Sequence, residues 1–325
     1  MQSKRKRKEA AMIATKEVTS GMEIRGHKFV ITPKGPFSWK QATDFLNNWP
    51  AIDNPDQRFV RMAFPLDRTF EPVAVALHEE DGALHGEVAG TKNTAAVANQ
   101  VARIFSLDHD ATTYPEVGKR DPRIGKVMAA LHGLRPVNFT STYECAAWAV
   151  MSQRITQRQA SAIKKRVIAE HGESIEVAGE TVGCFPTPHV LLKIESIPGL
   201  SAEKVERLHG VAAAALRGQL DVERLKALGD KAAPADLRSI AGIGPFWSSG
   251  IYLRACGITD VFPYEPLSVA AAAKVMGMEL PLEDAQVQRM AEPWSPWRMW
   301  VCVLLRVAIN RGVIRDVKVT HSRGR

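Results

Sequence analysis

Apolar and polar positions change their rhythm part-way along the chain. Between residues 21 and 110 the segments are short, and several alternate with a period of two. Residues 72–78 place Val73, Val75 and Leu77 on one face, and residues 28–32, 58–63 and 83–89 read as further strands. Glu80, Asp81 and Gly82 separate two of these runs and predict a hairpin turn. Two helices are expected in the same stretch. One spans residues 38–49 and starts at a serine. The other spans residues 94–105, where Val97, Val101, Ile104 and Phe105 recur at helical spacing.

From Asp121 the apolar period lengthens to that of a helix. The expected helices cover residues 123–131, 143–153, 157–171, 202–216, 222–228, 234–240, 245–256, 267–276, 282–291 and 297–310. Ser141 with Glu144 three residues later fits a capping box, and Ser201 ahead of Glu203 fits an N-terminal cap. Gly133, Gly229 and Gly257 stand where a left-handed residue would end a helix. The pattern therefore predicts an α+β protein: a basic flexible tail over residues 1–20, a small antiparallel-sheet domain over 21–110, and an all-α domain over 111–325.

Composition narrows the partners. Apolar residues make up 45% of the 325, enough for a sizeable core, and the net charge is +8. Anionic partners are favoured, although part of the excess sits in the run from Lys4 to Lys8, which an exposed tail explains equally well. No apolar leader follows that run, and the stretch 299–309 is short and contains Arg306, so a cytoplasmic protein without a membrane segment is expected. Cys145, Cys184, Cys256 and Cys302 are scattered. Reduced buried thiols are expected, with no iron–sulfur cluster.

The most specific stretch is residues 237–251. A helix ends near Ile240, the turn Gly242–Ile243–Gly244 follows, and Pro245 opens the next helix, where its missing amide costs nothing. The glycines clear the turn of side chains, and the free amides at the helix start suit a backbone phosphate. Ile243 would fill the space between the helices. An unliganded αα-hairpin is the simpler alternative. Residues 197–204 offer a weaker version, with Ser201 where a second glycine is needed.

With that hairpin in place, the chain resembles the helix-hairpin-helix DNA glycosylase superfamily, in particular its bacterial DNA-3-methyladenine glycosylase II (AlkA-like) branch. The likeness rests on DPRIG from Asp121 with GLRP from Gly133, and on AVMSQRITQRQA from Ala149. It continues through the hairpin on to LRACG from Leu253 and DVFP from Asp260, and ends with AEPWSPWRMW from Ala291. It covers about residues 25–312. The resemblance implies a helix-hairpin-helix glycosylase fold and a monomer that binds double-stranded DNA containing damaged bases. It also implies base excision repair, in which a damaged base, an alkylated purine in this branch, is flipped out and its N-glycosidic bond hydrolysed.

Residue by residue, the resemblance assigns Arg154 to fill the gap left by the flipped base, with Gln153 behind it. Phe246 replaces the lysine of the bifunctional members, so a monofunctional enzyme is expected. Phe246, Trp247 and Trp300 are the aromatic candidates for the base pocket; Gly250, Arg306 and Val307 depart from the branch's pattern. The family's catalytic aspartate falls on Pro266, which leaves Glu265, and less directly Asp260, as candidate carboxylates. Each has a simpler role as a cap or turn residue. Carbonyls of Arg238, Ile240 and Ile243 are the implied ligands of a monovalent cation, sodium or potassium. The alternative to an enzyme is a non-catalytic binder of damaged or distorted DNA on the same fold.

Overall fold

The computed structural model describes residues 21–47 and 59–317. The basic tail, residues 48 and 49 of the first expected helix, and Arg58 of an expected strand lie outside the described residues.

A five-stranded antiparallel sheet comes first, built from β1 (Gly21–Arg25), β2 (Lys28–Thr32), β3 (Val60–Pro65), β4 (Pro72–Glu80) and β5 (Ala83–Ala89) in the order β1-β2-β5-β4-β3. The expected turn joins β4 to β5. Asp81 and Gly82 both adopt positive φ, 51° and 76°, the two-residue geometry that matches the twist of paired strands. Alternation does the rest. Val73, Val75 and Leu77 are fully buried on the inner face, against α1 (Trp39–Asn47) and α2 (Thr94–Ile104), where Val97, Val101, Ile104 and Phe105 meet them.

The helical region follows in order: α3 (Pro115–Arg120), α4 (Pro122–Ala130), α5 (Thr142–Met151), α6 (Gln157–His171), α7 (Pro188–Leu191), α8 (Ala202–Leu216), α9 (Val222–Leu237), α10 (Pro245–Ala255), α11 (Pro266–Met276), α12 (Asp284–Ala291) and α13 (Arg298–Asn310). Most expected helices appear within a residue or two. The two expected at 222–228 and 234–240 form α9, which is broken at Gly229 by φ 77° and ψ 178°. Ser201 caps α8 as expected, accepting from the Lys204 amide.

The capping box at Ser141 is only half formed. Ser141 accepts from the Glu144 amide, but the Glu144 carboxylate turns inward to a buried ion pair with Lys164 of α6. A charge-assisted pair in the interior outcompetes the return bond of the box.

Two more strands interrupt the helical region where none was expected: β6 (Ser174–Val177) and β7 (Glu180–Gly183). Their Ile175, Val177 and Val182 pack on Ala63, Ala74, Ala76 and Ala89, the small residues of the sheet's outer face. Arginines stitch the two regions further. Arg135, buried after α4, donates to the carbonyls of Lys34, Gly35, Pro36 and Ser106. Arg103 of α2 donates to the carbonyls of Ala255 and Thr140 and pairs with Asp67. No described helix is long and apolar enough to cross a membrane. The four cysteines are buried, unpaired thiols.

Candidate functional site

The turn between α9 and α10 has the geometry of an anion cradle. Gly242 has φ 88°, and a Cβ there would lie 2.9 Å from Cδ of Arg207, so the fold itself requires this glycine. Gly244 is different. It caps α10 with an ordinary φ of −83°, and a Cβ would meet nothing within 4 Å. The fold would accept a side chain there, so the glycine keeps the outer surface of the turn open. Ile243 is buried between the helices as expected.

Hydrogen bonding within α10 starts at Ser248, whose amide donates to the Gly244 carbonyl at 2.9 Å. The amides of Gly244, Phe246 and Trp247 have no acceptor among the described residues, and they sit at the positive end of the helix. Gln153 supports the turn from behind: its side-chain amide donates to the Gly242 carbonyl. Arg207 donates to its Oε1 at 3.4 Å.

Arg154 follows at the end of α5, exposed and with φ 57°. Lys204 takes up the carbonyls at that helix end, donating to Met151 at 3.0 Å and Gln153 at 2.6 Å. Burial, then the neighbouring Arg207 and Arg154, hold the Lys204 ammonium below the usual lysine range. With Lys204 committed to the helix end, Arg154 is left as a cation at the surface beside the hairpin. Of the three carbonyls implied for a cation, that of Ile240 accepts from the Ile243 amide at 3.0 Å, while those of Arg238 and Ile243 accept nothing among the described residues. Neutral main-chain oxygens of this kind suit a hard monovalent ion.

A cavity of about 800 Å³ opens beside the hairpin, between α10, α11, α13 and residues 261–265. Phe246 and Tyr264 line it and are 65% and 54% exposed. They are the exposed aromatic side chains among the described residues. Glu265 and Asp230 bring carboxylates to its wall, and Arg306 and Arg254 bring guanidiniums. A cleft of similar volume, about 830 Å³, lies between the sheet and the helices. Its charges are already matched, Arg68 with Asp221 and Arg103 with Asp67, so it presents little free electrostatic grip.

Glu265 is tightly held. It caps α11, accepting from the amides of Leu267 at 3.2 Å and Ser268 at 2.8 Å and from the Ser268 hydroxyl at 2.6 Å. Arg306 of α13 donates to it at 2.9 Å. Burial opposes ionisation, but Ser268, Arg306 and the two amides outweigh it and keep the carboxyl below the usual glutamate range. At neutral pH it is a fixed anion on the cavity wall. Pro266 is the first residue of α11, a position that suits proline because no amide is needed there.

Asp260 does not reach the cavity. It accepts from Arg298 at 2.6 Å and Ser295 at 2.8 Å, which ties the loop before Phe262 to the start of α13. Burial raises its pKa, but the hydrogen bonds from Arg298 and Ser295 and the Arg298 charge outweigh it, leaving it below the usual range. These bonds hold it in the framework beside α13, away from the cavity wall.

The aromatic candidates separate. Phe246 lines the cavity mouth. Trp247 turns away from it, edge-on to Phe139 and Phe246. Trp300 is a correction to the expected pocket: it is buried against Trp297, Tyr114 and the Arg135 guanidinium, because α13 directs it to the core. Tyr264 and Asp230 are cavity residues that sequence reasoning missed. Tyr264 donates to the Leu282 carbonyl at 2.7 Å, and Asp230 accepts from the Tyr252 hydroxyl at 2.9 Å. An exposed aromatic two residues beyond DVF was the signal available for the first. Nothing in the sequence marked Asp230.

A small antiparallel sheet ahead of a helical region, with a two-glycine hairpin beside an aromatic-rimmed cavity, is the arrangement of the helix-hairpin-helix DNA glycosylases, which this chain resembles in sequence and in fold. Its sequence is similar to those of DNA-3-methyladenine glycosylases. It is 27% identical over 210 residues to the DNA-3-methyladenine glycosylase of Bacillus subtilis, covering 62% of this chain and 68% of that one. It is 30% identical over 199 residues to DNA-3-methyladenine glycosylase 2 of Escherichia coli, covering 58% of this chain and 64%, just under two thirds, of that one. The 3-methyladenine DNA-glycosylase structure from Archaeoglobus fulgidus shares the fold, with a TM-score of 0.72 at 22% identity over 88% of this chain and 99% of that one. No family model matches the chain.

Proposed function

We propose that this protein is a monofunctional DNA glycosylase of base excision repair that hydrolyses the N-glycosidic bond of damaged bases, with alkylated purines as its substrate class. One observation carries the reading. The open amides of the hairpin and the cavity rimmed by Phe246 and Tyr264 share α10, so a strand held at the first would present a flipped nucleotide to the second. Arg154 would occupy the gap in the duplex, and aromatic faces at the mouth would stack on the extruded base.

The chemistry falls to Glu265. An ionised carboxylate held by four donors is unsuited to taking a proton at neutral pH, but it is well suited to stabilising positive charge as the sugar loses its base. Arg306 offsets part of that charge. A weakened anion is sufficient when the departing base is already cationic, which is why an alkylated purine fits. Phe246 in place of a lysine leaves no amine for lyase chemistry at that position. The test is release of free base from duplex DNA treated with a methylating agent, compared between the native protein and Glu265→Gln. Turnover unchanged in the variant removes Glu265 from the role.

The engagement of Glu265 by Arg306 and its own helix favours one second reading, a binder of damaged DNA without turnover. No release across a broad lesion panel, together with salt-sensitive duplex affinity, would select it.

A further inference from the structure

The outer face of the sheet carries a cluster that neither the hairpin nor the cavity uses. The register of β4 and β5 sets His78 directly opposite His85. The two rings are stacked, with centroids 5.3 Å apart and planes 27° from parallel. Glu80 lies two residues along β4 and so shares that face, with its Oε2 3.8 Å from His78 Nε2. One ligating atom from each of the three lies within 4.8 Å of the other two.

We propose that His78, Glu80 and His85 form a site for a divalent transition-metal ion, with zinc as its representative. Zinc binds imidazole nitrogen and carboxylate oxygen at roughly 2.0–2.2 Å in a tetrahedron, which places donors about 3.4 Å apart. Drawing three donors together from within 4.8 Å needs only side-chain torsions, because the strand register already fixes the backbone. The turn at Asp81 and Gly82 follows Glu80 immediately and limits what must be ordered on binding. Phe59 lies against the His78 ring, 5.4 Å between centroids, and restricts its orientation. Two imidazoles and one carboxylate select zinc-like ions over magnesium and calcium, which prefer oxygen alone. Solvent completes the coordination, because Glu80 is exposed and both histidines are partly so. The bound ion would pin the end of the β4–β5 hairpin. The site is independent of the excision reading.

The experiment is a titration of the full-length, metal-free protein with zinc chloride in competition with a chromophoric zinc indicator. The native protein, His78→Ala, His85→Ala and Glu80→Gln are compared, and circular dichroism checks that each metal-free variant is folded. One zinc per chain is expected, with affinity reduced at least tenfold in either histidine variant and severalfold in Glu80→Gln. Zinc should also raise the thermal midpoint of the native protein and leave that of His85→Ala unchanged. Zinc affinity equal in the native protein and His85→Ala, or no binding below millimolar zinc, overturns the proposal. So does an equal thermal shift with magnesium.

Discussion

Arg306 of α13 donates to Glu265, the cap of α11, at 2.9 Å, so the carboxylate on the cavity wall carries its own counter-charge. This pair joins α13 to the start of α11 at the cavity wall, and under the proposed function it would set how much negative field a flipped sugar feels. Glu265→Gln keeps a side-chain oxygen for the cap but loses the charge. Base release from methylated duplex should fall by about 100-fold, the scale seen when one preorganised electrostatic partner is removed. Arg306→Gln should move in the opposite direction for cationic lesions, raising single-turnover rates severalfold. A loss of rate in Arg306→Gln equal to that in Glu265→Gln would assign the arginine to substrate contact.

Gly242 and Gly244 should respond differently to substitution. Gly242→Ala forces a Cβ to within 2.9 Å of Arg207 in a left-handed backbone, so stability should fall by about 1–3 kcal/mol. The Cβ of Gly244→Val meets open space, so the melting temperature should stay nearly unchanged, while duplex affinity drops about tenfold. Fluorescence anisotropy and thermal melting on the same samples separate the two. Unchanged affinity in Gly244→Val would remove the hairpin from the DNA surface.

Arg154 bears a conformational cost that glycine would not. Replacing it with glycine at φ 57° should raise stability by about 1 kcal/mol and weaken binding to a lesion-containing duplex. Denaturant melts read the first effect and anisotropy the second. A destabilised Arg154→Gly would mean that the arginine is held there by packing rather than for a partner.

Lys164 and Glu144 form a buried pair between α6 and α5, with side chains 10% and 6% exposed. Lys164→Met strands the carboxylate in the interior. The expected loss is about 3 kcal/mol in urea denaturation. The double change Lys164→Met with Glu144→Leu should recover most of it.

Stability should decline in acid. Asp221, Asp236, Asp260 and Glu265 all sit below the usual carboxylate range in the folded state. A depressed carboxyl stabilises the fold at pH values above its unfolded pKa, and that contribution is lost as pH falls through the folded value. The fall should begin below about pH 4, where free carboxyls titrate. Asp67 works in the other direction, because burial outweighs Arg103 and raises its pKa. Melting temperature against pH would show the slope, and Asp260→Asn should flatten it.

The elements that sequence revealed are those whose signal is local. Period-two alternation at Val73, Val75 and Leu77 and the helical spacing of Val97 and Val101 state their burial directly. Gly-Ile-Gly-Pro states its turn through backbone geometry. β6 and β7 were invisible because four-residue strands hold only through what they pack on, here alanines about a hundred residues earlier. The same limit applied at the site. Trp300 and Phe246 look alike as aromatic residues on helices, and only tertiary packing sends one to the core and the other to the cavity mouth. Glu265 was legible as a carboxylate near the expected position, but its partner Arg306 lies 41 residues further on.

The hairpin formed by β6 and β7 reaches out of the helical region to cover Ala74 and Ala76, while Arg135 clasps the loop before α1. Each region therefore completes the other's surface. Separated, the sheet would expose its alanine face, and the helices would keep a guanidinium with no carbonyls to receive it. Denaturation should accordingly pass through a single cooperative transition, and a cut between the two regions would unmake both.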